Sequence, residues 1–224
     1  MKGKWLFFPL LWLLSAAAFA DTTNFQAGVN YLTVSPAQPT DVKPGQIEVI
    51  EFFWYGCPHC FATEPYLESW LQHKPANVVF KRVAAAMPGS EFFLDAQAFY
   101  TAQVLGIGDK IHEPFFNAIH VDQQGDLRDD KDALRTFFGK FGVAAKDFDA
   151  TWDSFAVQTR MGQSQQLSTR YGVQGVPTFI VNGKWKTGAG YQMTYPDIVK
   201  CLDFLVQKEE AGIAPAAKPA AKKH

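Results

Sequence analysis

The chain has 224 residues, a formal net charge of −1, and 47% hydrophobic and 15% aromatic residues. That balance fills a proper core and carries no basic excess, so nothing points to nucleic acid or to an anionic membrane surface. Three cysteines are too few for a disulfide framework, and two of them, Cys57 and Cys60, sit close enough to read as reagents rather than staples.

Residues 1–20 read as a signal peptide. Lys2 and Lys4 give a positive start, 5–14 is an apolar run interrupted by Pro9, and Ala18-Phe19-Ala20 offers small residues at the positions a signal peptidase reads. Cleavage is expected before Asp21. An uncleaved anchor is disfavoured because the run is shorter than the roughly 20 apolar residues that span a bilayer, and no Cys follows the cleavage point to take a lipid. The mature chain is then expected outside the cytoplasm, where disulfides persist.

A short strand is predicted over 29–34, followed by a loop marked by Pro36, Pro39, Pro44 and Gly45. Residues 47–55 are apolar except for Glu48 and Glu51 and rich in β-branched and aromatic types, which predicts a buried central strand. Gly56 ends it. Apolar spacing over 57–71 (Phe61, Tyr66, Leu67, Trp70, Leu71) predicts a helix, with Pro58 suited to its first turn and Pro65 expected to kink it. A strand over 77–85 would run parallel to the first through a right-handed crossover. Helices are predicted over 92–103 and 110–119, a polar turn over 122–128, and further helices over 131–141, 146–150 and 152–171. Strands over 178–181 and 184–187 around Asn182-Gly183 form a type I′ hairpin. A last helix over 196–207 turns Ile198, Leu202, Leu205 and Val206 inward, and the Ala, Pro and Lys residues that follow read as a disordered tail. The fold class is α/β, with one small sheet built from both ends of the chain and helices inserted mid-chain. The expected boundaries are 25–86 with 166–208 for the sheet domain, 87–165 for the helical insertion and 209–224 for the tail.

The chemistry concentrates in Cys57-Pro58-His59-Cys60. A cysteine at the first turn of a helix faces unpaired amides and the positive end of the helix dipole, both of which favour thiolate. His59 adds a positive charge or a hydrogen-bond donor. A stabilised thiolate stabilises the reduced form and makes the disulfide a stronger oxidant. Cys57 is therefore the expected exposed, attacked sulfur and Cys60 the buried partner. The alternatives are half of a zinc site or a permanent structural disulfide. Zinc needs two more ligands, and His73, His112 and His120 stand alone in separate segments; so tight a disulfide loop gains little stability. Neither a metal nor a cofactor is expected. A second feature is Gly175-Val176-Pro177-Thr178, where a cis Val176–Pro177 bond would leave backbone groups of Val176 and Pro177 free to pair with an incoming peptide; the alternative is an ordinary trans proline at a strand start.

On Glu51-Phe52-Phe53-Trp54-Tyr55-Gly56-Cys57-Pro58-His59-Cys60, on Gly175-Val176-Pro177-Thr178-Phe179 and on the mid-chain helices, the chain resembles the DsbA-like thiol oxidases of the thioredoxin superfamily over nearly all of 25–208. The resemblance implies a thioredoxin-like fold with an inserted helical domain and a cis-proline. It also implies a periplasmic oxidase that gives its disulfide to newly secreted proteins with free cysteines and is reoxidised by a DsbB-type, quinone-linked membrane protein. A monomer is expected. The resemblance further implies that Glu51 is a buried acid beneath the cysteines, paired with a lysine on the next strand to relay protons. Lys81 is the best-placed candidate, with Arg82 beside it; the plain alternative is a solvent-facing carboxylate. Cys201, on the last helix, reads as a buried small hydrophobe or else as an intermolecular thiol. Phe52, Phe53, Trp54 and Tyr55 are core by number, with those nearest Cys57 able to rim a substrate surface. Two other functions stay open on the residues alone: an isomerase or reductase on the same fold, and a chaperone-like peptide binder with incidental cysteines.

Overall fold

In a computed structural model of the protein, residues 25–86 and 93–213 are described. The signal-peptide expectation and the tail beyond 213 lie outside these residues. In chain order the elements are β1 (Leu32–Thr33), β2 (Ile47–Phe53), α1 (Pro58–His73), β3 (Val78–Ala84), α2 (Phe93–Val104), α3 (Gly108–His120), α4 (Lys131–Gly139), α5 (Ala145–Trp152), α6 (Phe155–Arg170), β4 (Thr178–Val181), β5 (Trp185–Gly188) and α7 (Tyr195–Ile213). A 3₁₀ turn at Gly125–Arg128 stands where the polar turn was expected.

The five strands form one sheet in the order β1-β5-β4-β2-β3. Strands β2 and β3 run parallel, as an intervening helical crossover requires, and the other neighbours are antiparallel. Strand β2 is buried along its whole length, so its alternation decides what each helix covers. Ile47 and Val49 share a core with Leu67, Trp70, Ile198, Leu202, Leu205 and Val206 of α1 and α7. Ile50 and Phe52 point the other way and pack with Val83, Ile180 and Tyr171 at the end of α6. Phe53, at the strand's end, joins a third core with Phe99, Phe115, Phe116, Phe138 and Phe148 of the mid-chain helices.

The differences from the sequence reading have local causes. Strand β1 shrinks to two residues because its pairing is limited to Lys186 and Trp185 of β5. Helix α1 continues through Pro65 rather than stopping there. The expected 152–171 helix breaks at its start, where Ser154 caps α6 by accepting from the Val157 amide at 3.3 Å. In the hairpin, Asn182 and Gly183 both take the left-handed backbone (φ 50° and 66°) that a type I′ turn requires.

The tail boundary at 209 needs correction. Helix α7 runs on to Ile213 because Glu209, 6% exposed, is clasped by the hairpin. Its Oε1 accepts from the Trp185 indole at 2.7 Å, while Oε2 accepts from Lys184 Nζ at 2.7 Å and from the Asn182 side-chain amide. Those three donors hold its carboxyl below the usual carboxylate range against the opposing effect of burial. A folded-state pKa below the unfolded value gives stability that is present above the unfolded pKa and lost as pH falls through the folded one. Glu209→Ala removes the acceptor that all three donors share and is expected to cost about 1–3 kcal/mol at neutral pH. Urea midpoints for both proteins should converge as the solution is acidified through the carboxylate range.

Candidate active site

Cys57 caps α1. Gly56 turns the chain out of β2, and Cys57, with extended backbone (φ −82°, ψ 116°), occupies the N-cap position with Pro58 just inside the helix. A side chain at position 56 would collide with the Trp54 indole, so glycine is required there by contact. The Gly56 amide donates to Asp95 Oδ2 of α2 at 3.2 Å, and the Cys57 amide donates to the Trp54 carbonyl at 3.0 Å. Both cysteines of the motif are free thiols.

The two sulfurs have different surroundings. Cys57 is 5% exposed and Cys60 fully buried, so the sulfur expected to be exposed is itself buried, only less deeply than its partner, because the loop before β4 packs over it. The Cys57 thiol is lowered to about 6. The largest cause is a hydrogen bond from the Cys60 thiol. Burial opposes it, and the Cys60 and His59 backbone amides and the His59 charge lower it further. The amides act without forming a regular cap hydrogen bond. Cys60 is pushed well above its ordinary value by burial, then by its bond and charge contact with Cys57, then by the charge of Glu51.

From 119 residues away, the loop before β4 closes the site. The Val176–Pro177 bond is cis, and the Val176 carbonyl accepts from the Cys57 thiol at 3.5 Å. That loop is held by the Ala189 amide, which donates to the Pro177 carbonyl at 3.0 Å, and by the Thr178 hydroxyl, which donates to Gly175 O at 2.7 Å. Gly188 of β5 passes so near the Pro177 carbonyl that a Cβ there would collide with it. A pocket of about 60 Å³ lies beside this loop, lined by Trp54, Ala85, Ser168 and 173–176. Of the four aromatics before the motif, only Trp54 is partly exposed; Phe52, Phe53 and Tyr55 are core.

Glu51 is fully buried, and its cation is Arg82, not Lys81. In the parallel register Glu51 sits opposite Arg82 and Ile50 opposite Lys81, so Lys81 falls on the other face of the sheet. There Lys81 pairs with Glu48 at 2.7 Å and with Asp41 at 3.5 Å. The sequence reading left Arg82 second because a one-residue change of register exchanges the two faces. Arg82 Nε lies 3.3 Å from Glu51 Oε2, and its NH2 reaches Glu64 at 3.2 Å and also Glu68, both on α1. Three carboxylates thus share one guanidinium. Burial and the charges of Glu64 and Glu68 outweigh Arg82 and raise Glu51 to about 8.

Several residues of this layer carried no signal in the sequence. His112 and His120, considered there only as zinc ligands, come from α3 and bracket Tyr55. His112 Nδ1 shares a hydrogen bond with the Tyr55 hydroxyl at 2.9 Å, and His120 Nε2 donates to the Tyr55 carbonyl at 2.7 Å. His112 Nε2 lies 3.5 Å from Glu64. His59 is exposed, and its Nδ1 meets the Tyr195 hydroxyl at 3.0 Å. Cys201 is buried, its sulfur accepting from the Thr187 hydroxyl at 3.5 Å and its thiol facing the Asn30 carbonyl. Among the described residues no group of three or more His, Cys, Asp or Glu is arranged to hold a metal ion. Nor is any helix there long and apolar enough to cross a membrane.

Comparison with known proteins bears on the family and the fold. A family model described as the DSBA-like thioredoxin domain matches residues 48–197. The chain is similar to the thiol:disulfide interchange protein DsbA of Burkholderia cepacia, at 38% identity over 88% of this chain and 92% of that protein. It is similar to the DsbA of Pseudomonas syringae pv. tomato, at 41% identity over 86% of this chain and 88% of the other. The crystal structure of Pseudomonas aeruginosa DsbA superimposes with a TM-score of 0.76 at 35% identity, covering 84% of this chain and 96% of that one.

Two expectations follow from the electrostatics. In the reduced protein, alkylation of Cys57 should rise with pH through about 6 and then level, with Cys60 unmodified; peptide mass mapping after short iodoacetamide pulses reads both. For Glu51, the unfolded chain ionises near 4.5 while the folded chain keeps the proton up to about 8. The folded state therefore binds the extra proton across that window, and stability falls as pH rises through it. Glu51→Gln should gain on the order of 1–3 kcal/mol over the wild type at the alkaline end and little at the acid end, measured by urea unfolding.

Proposed function

The chain belongs to the family of DsbA-like thioredoxin domains, and from that premise we propose that it is a periplasmic oxidase that transfers its Cys57–Cys60 disulfide to newly secreted proteins. As a member of that family it is a thiol:disulfide oxidoreductase; the proposal concerns direction, place and partners. The observation that carries the direction is the asymmetry of the pair. A Cys57 thiol lowered to about 6 beside a Cys60 thiol raised well above its usual value favours the dithiol form, and an enzyme whose reduced form is favoured oxidises others.

The exchange then runs in two steps. A substrate thiolate attacks Cys57 Sγ and forms a mixed disulfide; the Cys57–Cys60 bond breaks, and its electron pair leaves on Cys60, which takes up a proton. Glu51, protonated at neutral pH and close enough to act on Cys60, supports that uptake; Arg82 rather than Lys81 balances it when it ionises. A second substrate thiolate next attacks the substrate sulfur of the mixed disulfide, and Cys57 departs as a thiolate. The substrate has lost two electrons and gained a disulfide, and the enzyme holds the dithiol. The Val176–Pro177 segment, beside Cys57, is the backbone against which the substrate peptide lies. A DsbB-type, quinone-linked membrane protein removes the two electrons and restores the disulfide. The N-terminal segment with the features of a signal peptide supports export, and the enzyme acts as a monomer without metal or cofactor.

In a bacterial strain lacking its periplasmic disulfide oxidase, the wild type is expected to restore disulfides in secreted reporters and Cys57→Ser to restore none. Cys60→Ser should accumulate mixed disulfides with substrates, visible on non-reducing gels. Rescue by Cys57→Ser, or a glutathione equilibrium as reducing as that of thioredoxin, would overturn the reading.

A further inference from the structure

We propose that Tyr195 is a positioning residue for the exchange chemistry: its hydroxyl holds the His59 imidazole beside Cys57 and so favours the reduced enzyme. The inference rests on the oxidase reading and deepens it by adding a residue that lies 136 positions further along the chain. His59 is an exposed side chain in the first turn of α1, and on its own such a ring turns freely in water. Tyr195 opens α7, which packs against α1. Its hydroxyl lies 3.0 Å from His59 Nδ1, and the two rings lie 6.2 Å apart, tilted by 36°.

Tyr195 is itself held. Its ring packs against the core shared by α1 and α7. The turn that carries it is capped: the Asp197 amide donates to Thr194 Oγ1 at 3.4 Å, the Thr194 hydroxyl donates to Asp197 at 2.6 Å, and the Ile198 amide donates to the Thr194 carbonyl at 3.0 Å. Asp197 is also paired with Lys200 at 3.3 Å. The hydroxyl thus reaches His59 from a rigid base, and Nδ1 is occupied in either protonation state. A neutral ring accepts from the phenol there, and an imidazolium donates to its oxygen. In both states the ring keeps one orientation, and Nε2 carries a hydrogen whether Nδ1 accepts or donates.

The consequence falls on the second step of the exchange. There the bond between Cys57 and the substrate sulfur breaks and its electron pair stays on Cys57 as a thiolate. A fixed donor or positive charge nearby stabilises that leaving group; a freely turning one does so only part of the time. A hydrogen bond to an exposed group is worth about a five-fold change in equilibrium, so the effect is modest and measurable.

The test is a double-mutant cycle on the full mature chain, using Tyr195→Phe, His59→Ala and both together. Phenylalanine keeps the ring and removes only the hydroxyl. The readouts are the equilibrium constant with glutathione and the Cys57 pKa, taken from the ultraviolet absorbance of the thiolate. Tyr195→Phe is expected to make the disulfide about five-fold less oxidising, equivalent to about 20 mV, and to raise the Cys57 pKa. In the His59→Ala background the same substitution is expected to change neither. Equal shifts in both backgrounds, or none in the wild-type background, would overturn the proposal. A wild-type equilibrium as reducing as thioredoxin's would instead overturn the oxidase reading, while the dependence of the Tyr195 effect on His59 could still be read.

Discussion

The turn from β2 into α1 is the constraint on which the site depends. It must end a fully buried strand, start a helix and leave a sulfur at the helix N-terminus within the four residues between Phe53 and Pro58. Gly56 makes room against Trp54, Asp95 takes the freed amide, Pro58 fixes the first helical turn, and Cys57 is left at the cap. The chemistry follows from that position. Amides that a helix leaves unpaired at its start, together with a thiol one turn further in, stabilise charge on Cys57. The same helix carries Cys60 down into the core, where charge is penalised. One short turn therefore makes two identical side chains unlike.

Beneath the sulfurs lies a layer that an ordinary core would not contain. Glu51, Glu64 and Glu68 share one guanidinium, and His112 and Tyr55 extend the cluster towards α3. Glu51 and Glu64 lie largely out of water while Glu68 is half-exposed, and one guanidinium does not offset the burial of every carboxyl, so one keeps its proton. Glu51 is the most deeply buried of the three and farthest from water, which makes it the one that does. Its protonated state is thus a consequence of packing and charge count.

The mid-chain helices contribute more than a cover. Phe53, Tyr55, Cys57 and Cys60 belong to the same core as Phe99, Phe115 and Phe116, so the active-site turn is built into the helical block as firmly as into the sheet. Asp95 and His120 of that block bind the backbone of Gly56 and Tyr55. The loop carrying Val176 is fixed from the other side by β5, through Gly188 and Ala189. The Cys57 sulfur and the Val176 backbone beside it are in this way held by different parts of the chain.

By itself the sequence determined the elements and the reactive pair. Hydrophobic runs with a period of two or near four are local, so β2, α1, β3 and the helical block were legible, as was the hairpin turn at Asn182-Gly183. The Cys57-Pro58-His59-Cys60 motif was legible because its chemistry depends on a helix start that Gly56 and Pro58 announce within a few residues. Only the tertiary structure decided the rest. Whether Lys81 or Arg82 faces Glu51 depends on the register between two strands, in which a one-residue slip exchanges the faces and leaves every local pattern unchanged. Glu209 looked like the start of a polar tail until the hairpin supplied three donors for it. Asp95, His112 and Tyr195 are unremarkable in sequence, since what makes each matter is a partner 39 to 136 residues away. A single chain read from end to end carries local preference, and distance in space is set only when the sheet and helices close on one another.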